Sequence, residues 1–331
     1  MTYLLIALLL LVLLLLFFRI AGYFNIMDYP HERSSHQRPT IRGGGVLFPI
    51  AALTWFLLFG QKDVWAIVGL LLISAVSFAD DIKNIKAGFR FLVHFVAVSL
   101  LFHEIGIFNY YWYWVVFAFI LTVGCINAVN FMDGINGITS FYTLVSLGTF
   151  SLLNNYNRLL APFFERHASV EWCSFLSERL VGVLFISVLV FTFFNARKRA
   201  RAFAGDVGSI SIAFILSWFM INLMVMSNSF YWILLFAVYG IDTGFTILVR
   251  IRRKENITQP HRLHLYQLLV NEKGWPHLLV AGMYAVVQLL VNAATIWFVF
   301  TGNMSLLVFF SLLALLSAVY IIVRLRIKPQ T

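Results

Sequence analysis

The chain has 331 residues, of which 61% are hydrophobic and 11% charged, and it carries a formal net charge of +10. Its mean hydropathy is +0.87. Soluble domains are about half apolar and about a quarter charged, so this composition excludes a soluble globular enzyme, a disordered chain, a coiled coil and a collagen-like fibre. What remains is an all-α polytopic membrane protein, and the 34 Phe, 13 Tyr and 9 Trp suit lipid-facing and interfacial surfaces.

A span needs about 20 mostly apolar residues, with about 17 as a lower bound. In chain order the apolar runs predict about eleven transmembrane helices, at 2–20, 45–60, 64–79, 91–107, 110–129, 137–153, 180–195, 208–226, 230–249, 278–300 and 304–323. The first lacks a basic n-region and a small-residue cleavage site, so it reads as a retained span. The gaps Asn154–Arg179 and Arg250–His277 are too short for a soluble domain, and 1–331 reads as a single integral membrane domain. Of the 24 basic residues, only Lys62, Arg158, Arg166 and Arg179 fall in one set of alternate loops. Arg33, Lys83, Arg199, Arg253, Lys328 and all the others fall in the opposite set. Basic loops stay cytoplasmic, which puts the N-terminus in the periplasm and the C-terminus in the cytoplasm. Cys125 and Cys173 then lie on opposite sides of the bilayer, so no disulfide joins them and no cysteine metal site forms.

The unusual polar sequence gathers on the basic face. Asp28 to Gly45 contains Glu32, Arg38, Thr40, Arg42 and three consecutive glycines. Glycines opening a helix expose N–H groups to an anion, although they equally suit a tight loop. Asp80 and Asp81 end the third span. Adjacent carboxylates near lipid are costly unless something positive meets them; the pair could bind Mg²⁺, hold one carboxylate as a base, or cap a helix end beside Lys83 or Lys86. In Asn127-Ala-Val-Asn-Phe-Met-Asp-Gly-Ile-Asn-Gly137, Asn130, Asp133 and Asn136 are spaced by three. They line one face if helical, or Gly134 and Gly137 make turns; amides beside a carboxylate suit a nucleotide or a cation. Gly205-Asp-Val-Gly-Ser209 places Asp206 at a helix start, where Asp commonly caps. Last come Asp242, inside a span, and Pro260-His-Arg-Leu-His264. Asp242 reads as a functional carboxylate or a partner of Arg250. His261 and His264 share a face at i, i+3; they lack a third zinc ligand, and with Arg262 they suit phosphate contact. His94 and His103 read as structural.

These blocks, in this order and on one face, resemble the polyprenyl-phosphate N-acetylhexosamine-1-phosphate transferases of glycosyltransferase family 4. The resemblance runs from about residue 28 to 277 and rests on Pro39-Thr-Ile-Arg-Gly-Gly-Gly45, Asp80-Asp81, Asn130-Phe-Met-Asp-Gly-Ile-Asn-Gly137, Gly205-Asp-Val-Gly-Ser209 and His261-Arg-Leu-His264. It implies ten or eleven membrane helices, a cytoplasmic active site and Mg²⁺, with Mn²⁺ as a substitute. Asp80, Asp81, Asp133 and His264 become the expected catalytic residues, and Asp206 with Asp81 the expected metal ligands. Arg38, Thr40, Arg42, Gly44, Arg90, Asn127, Asn130, Asn136, His261 and Arg262 become the expected substrate contacts. Many relatives have Asp at the place of Asn136, and a run of histidines where this chain has His264-Leu-Tyr-Gln267. That variant resembles the O-antigen-initiating branch, which uses UDP-activated N-acetylated and often 6-deoxy sugars.

The implied reaction joins a UDP-N-acetylsugar to undecaprenyl phosphate in the bacterial inner membrane. It gives undecaprenyl-diphospho-sugar and UMP, the first lipid-linked step of an envelope polysaccharide. A phosphate's second pKa is about 6, so the lipid phosphate is already mostly a dianion at neutral pH. A strong base is not required, and Asp80 or Asp81 can instead position metal or phosphate. The rival activities are the peptidoglycan phospho-N-acetylmuramoyl-pentapeptide transfer and secondary transport of a nucleotide sugar or lipid-linked sugar. A structural scaffold leaves the polar blocks unexplained. A homodimer is compatible with the sequence. Nucleic acid is not an expected partner, since topology and anionic headgroups account for the positive charge.

Overall fold

The computed structural model describes residues 1–30, 38–60, 62–160, 174–256 and 261–327. Glu32, Arg33, Arg166, Cys173, Pro260 and Lys328, each used in the sequence reading, lie outside the described residues.

The elements run α1 (Thr2–Tyr23), β1 (Met27–Asp28), β2 (Thr40–Ile41), a 3₁₀ turn (Gly44–Val46), α2 (Leu47–Phe59), α3 (Val64–Ile82), α4 (Ala87–Ile105), α5 (Trp112–Met132), α6 (Ile138–Asn154), α7 (Tyr156–Leu159), α8 (Glu178–Asn195) and α9 (Gly205–Ser227). A 3₁₀ segment (Phe230–Phe236) leads into α10 (Ala237–Arg252), followed by α11 (Leu265–Asn271), α12 (His277–Phe300) and α13 (Leu306–Leu325). Every apolar run read from sequence is therefore a helix. Among the described residues, nine helical segments are long and apolar enough to cross a bilayer. The two other runs give α2, of 13 residues, and α6, of 17. At about 1.5 Å per residue these reach roughly 20 and 26 Å, against a hydrocarbon core of about 30 Å.

Burial orders the helices. In α9, 78% of the most apolar window is buried, against 22% in α1 and 11% in α13. α9 is thus the central post and the two terminal helices face lipid. Exposed Leu4, Leu8, Leu307 and Leu315 are costly in water but at home in a bilayer. α3 packs on α4 and α9, α5 on α9, and α6 on α8 and α12. Ser74 of α3 and Ser211 of α9 share a hydrogen bond of 2.7 Å in this buried contact.

The 3₁₀ turn touches α9 backbone to backbone. A Cβ on Gly45 would lie 2.3 Å from Gly208 Cα, so only glycine admits this approach. The same loop is stitched by a small sheet. β1 pairs antiparallel with β2, Phe203 N–H donates to Ile41 O (2.8 Å), and Gly44 N–H donates to Phe203 O (2.8 Å). Arg42 is thereby fixed beside the first residues of α9.

Candidate active site

α9 starts at Gly205, and its first N–H groups are satisfied from another helix. Asp81, in the last turn of α3, accepts the Asp206 N–H at 2.9 Å through Oδ1 and the Val207 N–H at 3.0 Å through Oδ2. Arg42 Nε donates to the same Oδ1 at 2.7 Å. The Asp81 side chain has no solvent exposure. Both of its oxygens are spent on the helix end and on Arg42, a charge-assisted arrangement favoured at a helix N-terminus. Asp206 is not its own helix's cap: it is the second helical residue, and its carboxylate turns outward at 23% exposure. Arg42 Nη2 lies 3.7 Å from one Asp206 oxygen and Arg90 Nη1 lies 4.0 Å from the other. Arg90 also pairs with Asp80, whose second oxygen accepts the Ile85 N–H at 2.7 Å. The doublet therefore divides: Asp81 faces inward to cap α9, and Asp80 binds the loop and Arg90. Lys83 and Lys86 make neither of these pairs.

α5 ends at Met132, so of the three residues spaced by three only Asn130 is helical. Asp133 and Asn136 sit in the following turn, closed by Gly137 at φ +84°. All three nevertheless line one cleft of about 260 Å³, together with Asp28, Arg42 and Asp206. Asn130 Oδ1 accepts from Ser209 Oγ at 2.6 Å, and Asp133 Oδ1 accepts from Thr139 Oγ1 at 2.6 Å. Asn136 donates through Nδ2 to Arg197 O at 2.8 Å. Asn195 holds the turn from below, accepting the Gly137 N–H at 2.9 Å and donating to Ala202 O at 2.9 Å.

The electrostatics of the cleft are unbalanced. Burial, with help from the Asp81 charge, pushes the Asp133 carboxyl up to about 6, although the Thr139 hydroxyl and Arg42 pull the other way. Burial opposes the Arg42 charge, yet Asp81, Asp206 and Asp28 outweigh it and hold the guanidinium protonated more firmly than usual. Among the lining residues three carboxylates face one arginine.

Other expected site residues lie apart from this lining. Thr40 is buried and donates to Arg38 O at 3.1 Å, Gly44 is buried against Ala202, and Asn127 donates to Val123 O at 2.9 Å within its own helix. Arg38 is exposed and Arg262 partly buried. His261 and His264 are not on a helix face. His264 is the N-cap of α11, and the two rings lie 4.9 Å apart between centroids. Burial, then the neighbouring His264 and Arg250, push the His261 imidazole down to about 4. Asp242 does not meet Arg250, which pairs with Glu255 at 3.2 Å. It meets His264 instead, with Nδ1 to Oδ1 at 3.3 Å. α11 adjoins the cleft through Tyr266, whose hydroxyl donates to Phe131 O at 3.0 Å and packs so tightly on Gly134 that a Cβ there would lie 2.2 Å from it.

Sequence reasoning did not select Asp28, Asn195, Ser209 or His277 for this site. Asp28 was legible as an acid opening the first basic loop. His277, whose Nδ1 accepts the Asn136 N–H at 3.4 Å, opens an apolar span and carries no such signal.

Among the described residues no group of three acidic, histidine or cysteine side chains forms a ready cage for a metal. The donor chemistry still fits Mg²⁺. That ion is usually held by one or two carboxylates, its other positions filled by water and substrate phosphate. Asp206 and Asp133 offer hard oxygen donors on the same cleft.

Comparison with known proteins accords with this geometry. The family model for glycosyl transferase family 4 matches residues 64–224, a stretch holding Asp80, Asp81, Asp133 and Asp206. Over that stretch the chain resembles the family. It is 24% identical, over 95% of its own length and 89% of the relative's, to a probable undecaprenyl-phosphate N-acetylglucosaminyl 1-phosphate transferase of Bacillus subtilis. It is 24% identical to the phospho-N-acetylmuramoyl-pentapeptide-transferase of Thermotoga maritima, over 75% of this chain and 80% of that one. With the Latilactobacillus sakei enzyme of the same name it shares 27% identity, over 62% of this chain and 67% of that one.

Proposed function

We propose that this chain is a member of that family and transfers an N-acetylated sugar-1-phosphate from a UDP-sugar to undecaprenyl phosphate, releasing UMP. One observation carries the reading: Arg42, Asp133 and Asp206 open onto one cleft at the end of apolar helices, where a water-soluble diphosphate and a lipid phosphate can meet. A lipid phosphate oxygen attacks the sugar-bearing β-phosphorus. The new P–O bond forms as the bond from that phosphorus to the bridging oxygen breaks, and UMP carries that oxygen away. One diphosphate linkage replaces another, so the reaction runs in both directions.

Phosphoryl transfer depends chiefly on positioning and on neutralising charge. Mg²⁺, when bound, would supply positive charge that offsets the repulsion between two anions. Asp206, with Asp133 across the cleft, is its proposed holder. Three carboxylates around one arginine would otherwise repel a diphosphate, and a divalent cation removes that conflict. Arg42 and Arg90 hold Asp206 in place and extend positive charge toward the phosphates. Asp81 serves as the capping residue that sets the start of α9, and Asp80 fixes Arg90. Asn130 and Asn136 face the nucleotide-sugar. The phosphate dianion needs no strong base, so neither member of the doublet is assigned one.

For the donor, our reading is a UDP-N-acetylhexosamine or its 6-deoxy form, as in the O-antigen-initiating branch, because Asn136 and His264-Leu-Tyr-Gln267 replace the acidic residue and the histidine run of many relatives. The proposed setting is the bacterial inner membrane, with eleven helices in one domain and the cleft in the cytoplasm. The test is direct. Purified chain with undecaprenyl phosphate and a panel of UDP-N-acetylsugars should yield a diphospho-lipid by mass spectrometry, and labelled UMP should exchange into UDP-sugar. Absence of both, with uptake of intact UDP-sugar into vesicles, would replace the transferase by a transporter.

A further inference from the structure

Asp242 is fully buried in the middle of α10, where an uncompensated carboxylate is expensive. Its surroundings are built to receive it. Oδ1 faces the His264 Nδ1 at 3.3 Å and accepts the Leu265 N–H at 3.0 Å and the Tyr320 hydroxyl at 3.2 Å. Oδ2 accepts the Tyr284 hydroxyl at 2.6 Å. Thr246 donates to Oδ1 at 3.2 Å, and Arg324 donates to both Thr246 and Tyr320. The positive charge of α13 thus reaches the carboxylate through two hydroxyls rather than by contact.

Four donors besides the imidazole, the Leu265 N–H and the hydroxyls of Thr246, Tyr284 and Tyr320, surround the two oxygens and mark an ionised acceptor, and a carboxylate accepts only. Facing such an acceptor, the His264 Nδ1 is assigned the proton in preference to accepting from the N3 backbone of its capping box, and Nε2 is the nitrogen left for other use. Nε2 is buried and, among the described residues, has no hydrogen-bond partner. The ring lies beside Phe131 and Tyr266, which border the Asp133 turn. His261 and Tyr266 are the other titratable groups packed on it.

We infer that Asp242, held by Tyr284 and Tyr320, is a positioning residue that fixes the tautomer and orientation of His264 and presents its Nε2 to the phosphate-binding side of the cleft. The inference rests on the proposed transferase reading and deepens it. Its members come from α10, α12 and α13, all beyond the stretch that the family model matches, and so give the C-terminal helices a task in the reaction. The pairing parallels the orienting carboxylate of a Ser-His-Asp site, without a nucleophile.

The experiment uses the full chain in nanodiscs, with UDP-N-acetylglucosamine or whichever panel sugar reacts fastest. Asp242→Asn should lower kcat by about 100-fold while KM for the UDP-sugar stays within about threefold, since an interaction made chiefly in the transition state has been weakened. Tyr284→Phe, a milder change to the same carboxylate, should lower kcat by about threefold to tenfold. In a His264→Gln background neither substitution should cost anything further, because both act through that ring. Nitrogen-15 spectra of histidine-labelled protein should show His264 protonated at Nδ1, with a strongly deshielded proton that moves upfield in Asp242→Asn. Losses that multiply in the double variants, or a His264 resonance unchanged by Asp242→Asn, would overturn the inference. A wild-type chain that makes no lipid product would instead defeat the transferase reading, and the spectra would still test the pairing.

Discussion

The Asp81 carboxylate accepts the backbone N–H of Asp206 at 2.9 Å, so one aspartate of the site positions another without touching the cleft itself. The two should fail in different ways. Asp81→Ala removes the acceptor for two N–H groups and leaves Arg42 without its buried partner, which should cost about 2–4 kcal/mol of stability and lower the melting temperature in detergent along with the activity. Asp206→Ala should leave melting nearly unchanged. It should abolish turnover or raise the Mg²⁺ concentration for half-maximal rate by about tenfold. Chelation should silence the wild type, with Mg²⁺ restoring it. An Asp81→Ala protein that melts like wild type would refute the capping role.

Asp133 makes the site pH-sensitive. Its folded carboxyl titrates at about 6, above the unfolded value of about 3.9. The folded state therefore binds the proton more tightly, and the resulting stability is fully present below about pH 3.9 and lost as pH rises through about 6. In metal-free buffer Asp133→Asn should melt higher than wild type at pH 7.5 and show no advantage at pH 4. In the proposed reaction the ionised form receives a cation, so kcat/KM should rise with pH through about 6 in the wild type and lose that limb in the variant. A wild-type limb that survives in Asp133→Asn would assign it to another group.

The helices were legible because apolar runs of sufficient length have few alternatives in a bilayer. Their ends were less so. The run predicted over 64–79 continues to Ile82, and that predicted over 208–226 begins at Gly205. Counting apolar residues stops at a charge, whereas Asp80, Asp81 and Asp206 stay helical because distant segments satisfy them. The site blocks were legible as unusual polar sequence, but not their division of labour. Nothing local separates Asp81, turned inward to α9, from Asp80, paired with Arg90. Tyr284 and Tyr320 were invisible for a related reason: a single tyrosine in an apolar helix gives no sign that its hydroxyl meets a buried carboxylate.

Gly208 sets the distance between α9 and the turn that carries Arg42. A Cβ there would lie 2.6 Å from Gly45 Cα and 2.9 Å from Ala204 Cβ. Gly208→Ala must push backbone apart, at a cost of about 1–3 kcal/mol, and should displace Arg42 enough to lower activity as well as melting temperature. Gly240→Ala and Gly244→Ala are the controls, since among the described residues no neighbour outside the helix's own backbone lies within 4 Å of a Cβ at either position. Loss at the controls equal to that at Gly208 would show a general intolerance of alanine rather than a close contact.

The proposed orientation rests on the uneven basic residues, and chemistry sharpens the test. Lys62 belongs to the sparse set and Lys198 to the dense one, in the loop between α8 and α9 that adjoins the cleft through Arg197 O and Asn136. After replacing Cys125 and Cys173 by serine, Lys62→Cys on intact cells should react with a membrane-impermeant maleimide, and Lys198→Cys should react only once the cells are opened. The expectation has a physical basis, because moving the dense set to the periplasm would put most of the basic residues against the positive-inside bias. It would also part the cleft from the cytoplasmic nucleotide-sugar that the proposed reaction consumes. Labelling of Lys198→Cys from outside would therefore remove both the orientation and the donor access on which that reaction depends.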